Sequence, residues 1–82
     1  MITVFDETVE IAILRDGEEE NVPFCELLAG DIILPSVFNK EEIIVEEDAH
    51  YSGDSCYDGY LFYDTDGRDW YPEDFGADVK EE

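Results

Sequence analysis

Positive charge is what this chain has least of. Four Lys or Arg residues stand against 24 Asp or Glu in 82 residues, a formal net charge of −20. That deficit argues against a basic groove, and so against direct binding of nucleic acid, which needs clustered Lys and Arg along the phosphates. It also argues against adsorption to anionic membranes. No apolar run approaches the ~18 residues needed to cross a bilayer. The segment MITVFDETVE lacks the basic and apolar regions of a secretory signal, so none is expected and a cytoplasmic protein is. Cysteine is scarce as well. Cys25 and Cys56 are too few for a disulfide framework, and both are expected to be reduced thiols. Long helical periodicity is missing, which removes the parallel α/β folds.

What remains is enough to fold. Apolar residues make up 44% of the chain and aromatics 13%, well above the composition of a disordered acidic tail. The length fits one small domain over residues 1–82, with 76–82 expected as a loose tail. Residues 1–5 read as a short edge strand. Residues 8–14 (TVEIAIL) alternate, with Val9, Ile11 and Ile13 on one face, the period of a half-buried strand. Asp16-Gly17 then signals a type I′ hairpin, returning over residues 19–24, where Pro23 confines the strand to an edge. Residues 25–30 suggest a short helical turn stopped by Gly30, and 31–34 a buried strand. Residues 41–47 (EEIIVEE) place Ile43 and Val45 on one side and Glu42, Ile44 and Glu46 on the other. A loop is expected over 48–58, a strand over 59–63, a turn at 64–67, a strand over 68–71 and a helical turn opened by Pro72. Leu61, Tyr63 and Trp70 are assigned to the core, with Tyr60 and Phe62 opposite. The expected fold is mostly β with minor α, a small antiparallel β-barrel or strongly bent sheet of five to six short strands.

Residues 13–35, ILRDGEEENVPFCELLAGDIILP, resemble the strand–turn–strand and L-x-x-G-D-I segment of P-type ATPase actuator domains. The resemblance covers about a quarter of the chain. The Thr-Gly-Glu loop and the Asp-Lys-Thr-Gly phosphorylation motif of those enzymes are absent, so it implies a hairpin plan and no phosphatase activity.

Residues 48–75 hold all five tyrosines together with Phe62, Trp70 and Phe75, interleaved with carboxylates. Within them, Asp64-Thr65-Asp66-Gly67-Arg68-Asp69 departs from a calcium loop, which needs Gly sixth and Glu twelfth. A hairpin turn is the simpler reading, and weak calcium binding by clustered carboxylates the alternative. His50, Cys25 and Cys56 are scattered singly, unlike the paired ligands of structural zinc sites. His50 has no nucleophile at a recognisable spacing. No enzyme activity, metal or cofactor is therefore expected, and oligomeric state is not legible.

The charge is unevenly placed. Residues 1–40 carry nine acids and two bases (−7), and residues 41–82 carry fifteen and two (−13). Such acidity also serves plain solubility or a high-salt habitat; halophilic proteins spread their acids evenly, and the asymmetry here favours a partner surface over solubility alone. A folded chain of this size exposes roughly 5,000 Å², about one net charge per 250 Å². B-DNA carries one per ~1.7 Å of axis, or roughly one per 100 Å² of surface. Gathered on half the surface, the two densities become similar. In size, charge and β-content the chain resembles small acidic phage-encoded DNA mimics, the anti-restriction and anti-CRISPR inhibitors. The resemblance implies an inhibitor that blocks the basic groove of a host nucleic-acid-binding protein. The residues assigned to that contact are Glu46, Glu47, Asp48, Tyr51, Asp54, Tyr57, Asp58, Asp64, Asp66, Asp69, Glu73 and Asp74. The alternative is a structural or accessory module of a phage or mobile-element assembly.

Overall fold

Alternating apolar side chains become paired strands through most of the chain. The computed structural model describes residues 4–54 and 57–80. Strands β1 (Val4–Phe5), β2 (Glu10–Arg15), β3 (Glu18–Pro23), β4 (Ile32–Ile33), β5 (Ile43–Ile44), β6 (His50–Asp54), β7 (Tyr57–Tyr63), β8 (Asp69–Trp70) and β9 (Val79–Lys80) follow in order. Two 3₁₀ turns, Phe24–Glu26 and Pro72–Phe75, are the helical content among the described residues. The protein is mostly β, as the alternation and the spacing of its turn signals imply.

The β2–β3 hairpin turns on Asp16 and Gly17, both at positive φ (54° and 79°), the geometry a type I′ turn requires. Antiparallel pairing then runs β3-β2-β4-β5, and separately β6-β7-β8. The two sheets are joined where Val45 bridges Asp64. There the Glu46 N–H donates to the Tyr63 carbonyl at 2.9 Å and the Thr65 N–H to that of Ile44 at 3.1 Å. The result is two antiparallel sheets tied together at that bridge. It does not close into a barrel, because β3 remains an edge. Glu18, Glu19 and Glu20 line that edge, and charge there discourages pairing with a further strand.

Both sheets and the two 3₁₀ turns contribute to one core: Ile11, Ile13, Val22, Phe24, Leu27, Ile33, Ile43, Val45, Phe62, Trp70 and Phe75. Phe24 lies 5.5 Å from Phe62 and 6.0 Å from Phe75, and Trp70 lies 5.5 Å from Phe75, all tilted ring pairs. The second 3₁₀ turn thus delivers Phe75 as the centre of an aromatic node. Its entry is fixed by Asp74, whose carboxylate accepts the Tyr71 N–H at 2.9 Å.

Three expectations are corrected. The loop over 48–58 is largely strand: β6 pairs with β7 from His50↔Leu61 to Asp54↔Tyr57. Its Ser, Gly and Asp content hid a ladder held by backbone bonds. The tail is tied down through residue 80, since β9 pairs with β1 and the Asp6 N–H donates to the Asp78 carbonyl at 2.9 Å. Phe62, fully buried, and Tyr63, exposed, exchange the places assigned to them. Leu61 is buried as well, though outside the main cluster. Both faces of this stretch are therefore covered there, and strict alternation misleads.

Candidate functional site

Among the described residues two carboxylates have been drawn inside, Asp31 and Asp64. Asp31, 3% exposed, receives Arg15 in a two-pronged ion pair, Nε to Oδ1 at 2.9 Å and the terminal nitrogen to Oδ2 at 2.6 Å. It also accepts the Leu28 N–H at 2.9 Å, while Arg15 reaches the Glu26 carbonyl at 3.2 Å. This knot clamps the residue 24–31 segment onto β2. The Asp31 hydrogen bond and charge hold the Arg15 guanidinium above its ordinary value.

Asp64 is the second. Its Oδ1 accepts the N–H groups of Asp66 and Arg68, both at 2.9 Å, and its Oδ2 accepts the indole N–H of Trp70 at 2.8 Å. Burial pushes the Asp64 carboxyl up, but the Trp70 indole, the two backbone donors and the Arg68 charge together bring it below the usual value. Both oxygens are committed to shaping the turn. Asp64 is therefore a structural residue of the hairpin rather than an outward contact or an open metal ligand.

The outward face is read from the register. In β2, β4 and β5 the inner residues are Ile13, Ile33 and Ile43; their chain neighbours Leu14, Ile32 and Ile44 point the other way. Leu14 pairs with Ile32, and Ile32 with Ile44, so the three form one row across three strands. Glu19, opposite Leu14, ends the row on β3. Glu42 and Glu46, two residues either side of Ile44, flank it. Beside Glu46 lie Tyr63 and, across β8, its partner Asp69, all exposed.

The assigned contact residues fall into groups. Glu46, Glu47 and Asp48 are exposed between β5 and β6, with Asp48 accepting the Ala29 N–H at 2.8 Å. Asp66, Asp69 and Glu73 are exposed on or after the β7–β8 hairpin, with Asp69 accepting the Tyr71 hydroxyl at 2.5 Å. Tyr51 stands out from β6, edge-on to Tyr60 at 6.1 Å. Asp74 is half-buried at its helical turn. The side chains of Asp54, Tyr57 and Asp58 lie outside the described residues, as does Cys56. Glu46 and Asp69 share one face with Tyr63.

Two of the four cations have internal partners. Arg15 serves Asp31, and the Arg68 guanidinium stacks 3.8 Å over the Trp70 ring. Lys40 stands exposed beside an open groove of about 700 Å³ between the residue 38–44 segment and the 64–68 turn, lined also by Phe38, Arg68 and Trp70. Glu41, Glu42, Asp64 and Asp66 share that lining, four carboxylates beside two cations. Among the described residues no group of three or more His, Cys, Asp or Glu is arranged to hold a metal ion. Burial, then the charges of Glu26 and Glu7, push the Cys25 thiol up, which keeps it protonated and unreactive at neutral pH. His50 is engaged through Nδ1 with the Asp48 carbonyl at 3.1 Å.

The assigned contact set leaves out the outward row. Its signal was present: EIAILR, DIIL and EEIIVEE carry apolar residues at both parities of the alternation. No helix among the described residues is long and apolar enough to cross a membrane. No family model, curated protein or solved structure matches the chain.

Proposed function

We propose that this chain is a non-catalytic binding protein whose carboxylates stand in for nucleic-acid phosphates and occupy the basic groove of a DNA- or RNA-processing protein. In that role it acts as an inhibitor inside the bacterial cytoplasm. One observation carries the reading: −20 is presented over 5343 Å² of surface, one net charge per about 270 Å², while two of the four cations are engaged with internal partners. The remaining exposed acids therefore have few internal counter-charges. Glu46, Glu47, Asp48, Asp66, Asp69 and Glu73 supply the charge, and Tyr51 and Tyr63 supply rigid contact area. Association is steered by charge and weakens as salt rises.

A second reading, an accessory module of a phage or mobile-element assembly, is favoured by the outward row Leu14–Ile32–Ile44. Salt separates the two. Immobilised protein is exposed to bacterial lysate at low ionic strength and washed with duplex DNA. Release of nucleic-acid-binding enzymes by the DNA supports mimicry. Retention that resists both DNA and 0.5 M salt (roughly a 4 Å screening length) supports the assembly module instead.

A further inference from the structure

We infer that the outward face of the β3-β2-β4-β5 sheet is where the partner docks, and that the partner's own patch has an apolar centre ringed by Lys and Arg. This rests on the proposed function and adds to it a place and a chemistry that charge alone does not specify.

A sheet with one solvated face is ordinarily polar on that face. Here Leu14, Ile32 and Ile44 stand in one cross-strand row, its outer members about 10 Å apart at the usual strand spacing. Ile44 is 46% exposed although Ile43 beside it is 6% exposed. Ala12, also exposed, extends the apolar area along β2. Around this centre stand Glu19 across β3 and Glu42 and Glu46 along β5, all exposed. An apolar centre inside a charged rim is the anatomy of a protein interface.

The rim selects the occupant. A second copy of this chain would bring Glu19, Glu42 and Glu46 against their own kind, and like-charge juxtaposition opposes association. An uncharged apolar partner would leave those carboxylates without counter-charges. Lys and Arg around an apolar patch satisfy both zones. A standard interface takes about 800 Å² from each side, roughly 15% of this surface. The face and the neighbouring Glu46–Tyr63–Asp69 group lie side by side, so one footprint of that size spans both.

The test places a photoreactive benzoylphenylalanine at Ile44 or, as a control, at Val37, which is 92% exposed in the loop between β4 and β5. Each protein is irradiated with the heparin-retained proteins of a bacterial lysate at low salt. The expected result is cross-linking from position 44 and not from 37, abolished by excess duplex DNA or 0.5 M salt, to peptides carrying Lys or Arg. For the captured protein, Ile32→Ser with Ile44→Ser weakens binding at least tenfold and leaves its salt dependence unchanged, with folding verified by circular dichroism. Several results overturn the inference: no product at 44, equal products at 44 and 37, or only a dimer of the chain itself. If DNA still releases partners in the affinity experiment while position 44 is silent, mimicry stands and this docking face falls. If products at 44 persist in DNA and salt, the basic partner and the mimicry reading fall together.

Discussion

Ile43 and Ile44 are chemically identical and adjacent, yet one is part of the core and the other stands in solvent. The same division separates Ile33 from Ile32 and Ile13 from Leu14. The inner face of the four-stranded sheet converts apolar side chains into stability. Its outer face leaves comparable side chains half-exposed, where they contribute little to holding the chain together. The carboxylates divide in the same way. Asp64 and Asp31 are inside and fully bonded, whereas Asp66 and Glu46 are outside among other acids. Position relative to the sheet decides what a residue does here, more than residue type.

The sharpest way to break this contrast is to truncate across it. Ile33→Ala, at 1% exposure, is expected to cost about 2–5 kcal/mol, a large share of the roughly 4–12 kcal/mol available to a domain of this length. Ile32→Ala is expected to cost under ~1 kcal/mol. Urea unfolding of the two variants checks the ratio; equal losses would mean that the outer row is packed after all. Next in size is Asp64→Ala, which strands three N–H donors, one of them the Trp70 indole. A loss of about 2–4 kcal/mol is expected from unsatisfied donors, against ~0.5 kcal/mol or less for Asp66→Ala, by the same measurement.

A pH experiment sharpens the carboxylate half of the comparison. The folded-state value of Asp64 lies below its ordinary 3.8, so the unfolded chain binds its proton first. Stability from Asp64 is thus complete above about pH 4 and is lost as pH falls through the lower folded value. Wild type is expected to lose stability below pH 4 more steeply than Asp64→Asn, as followed by thermal melts across pH 2–5. The smallest effect concerns the outer acids. Raising salt from 0.05 to 0.5 M screens their mutual repulsion and is expected to raise Tm by a few degrees. Asp64→Asn should show the same increment, because its site is inside.

The sequence carried the inner face well. Spacing alone puts Ile11 with Ile13 and Ile43 with Val45 on common faces, and turn chemistry alone puts Asp16-Gly17 at a hairpin, because period and positive φ are local properties. β6 and β9 were not legible. The Ser, Gly and Asp of β6 have weak strand preference although its ladder with β7 is local, closing from His50↔Leu61 to Asp54↔Tyr57, whereas β9 depends on a partner at the far end of the chain, Val4 with Lys80. The candidate site is legible in the sequence as charge and not as geometry. Nothing in DTDG says that Asp64 turns inward while Asp66 turns outward; the indole of Trp70, six residues on, settles that.

The pairing of Val4 with Lys80 has a further consequence. It sets the two ends of the described fold side by side, at the ~5 Å separation of antiparallel partners. A chain entering at one and leaving at the other does so through a single doorway. The fold can accordingly be spliced into a surface loop of another protein, or its ends joined by a few residues and new ones opened elsewhere, without stretching the sheet. Any tag or fused neighbour attached at either end emerges from the same corner of the molecule.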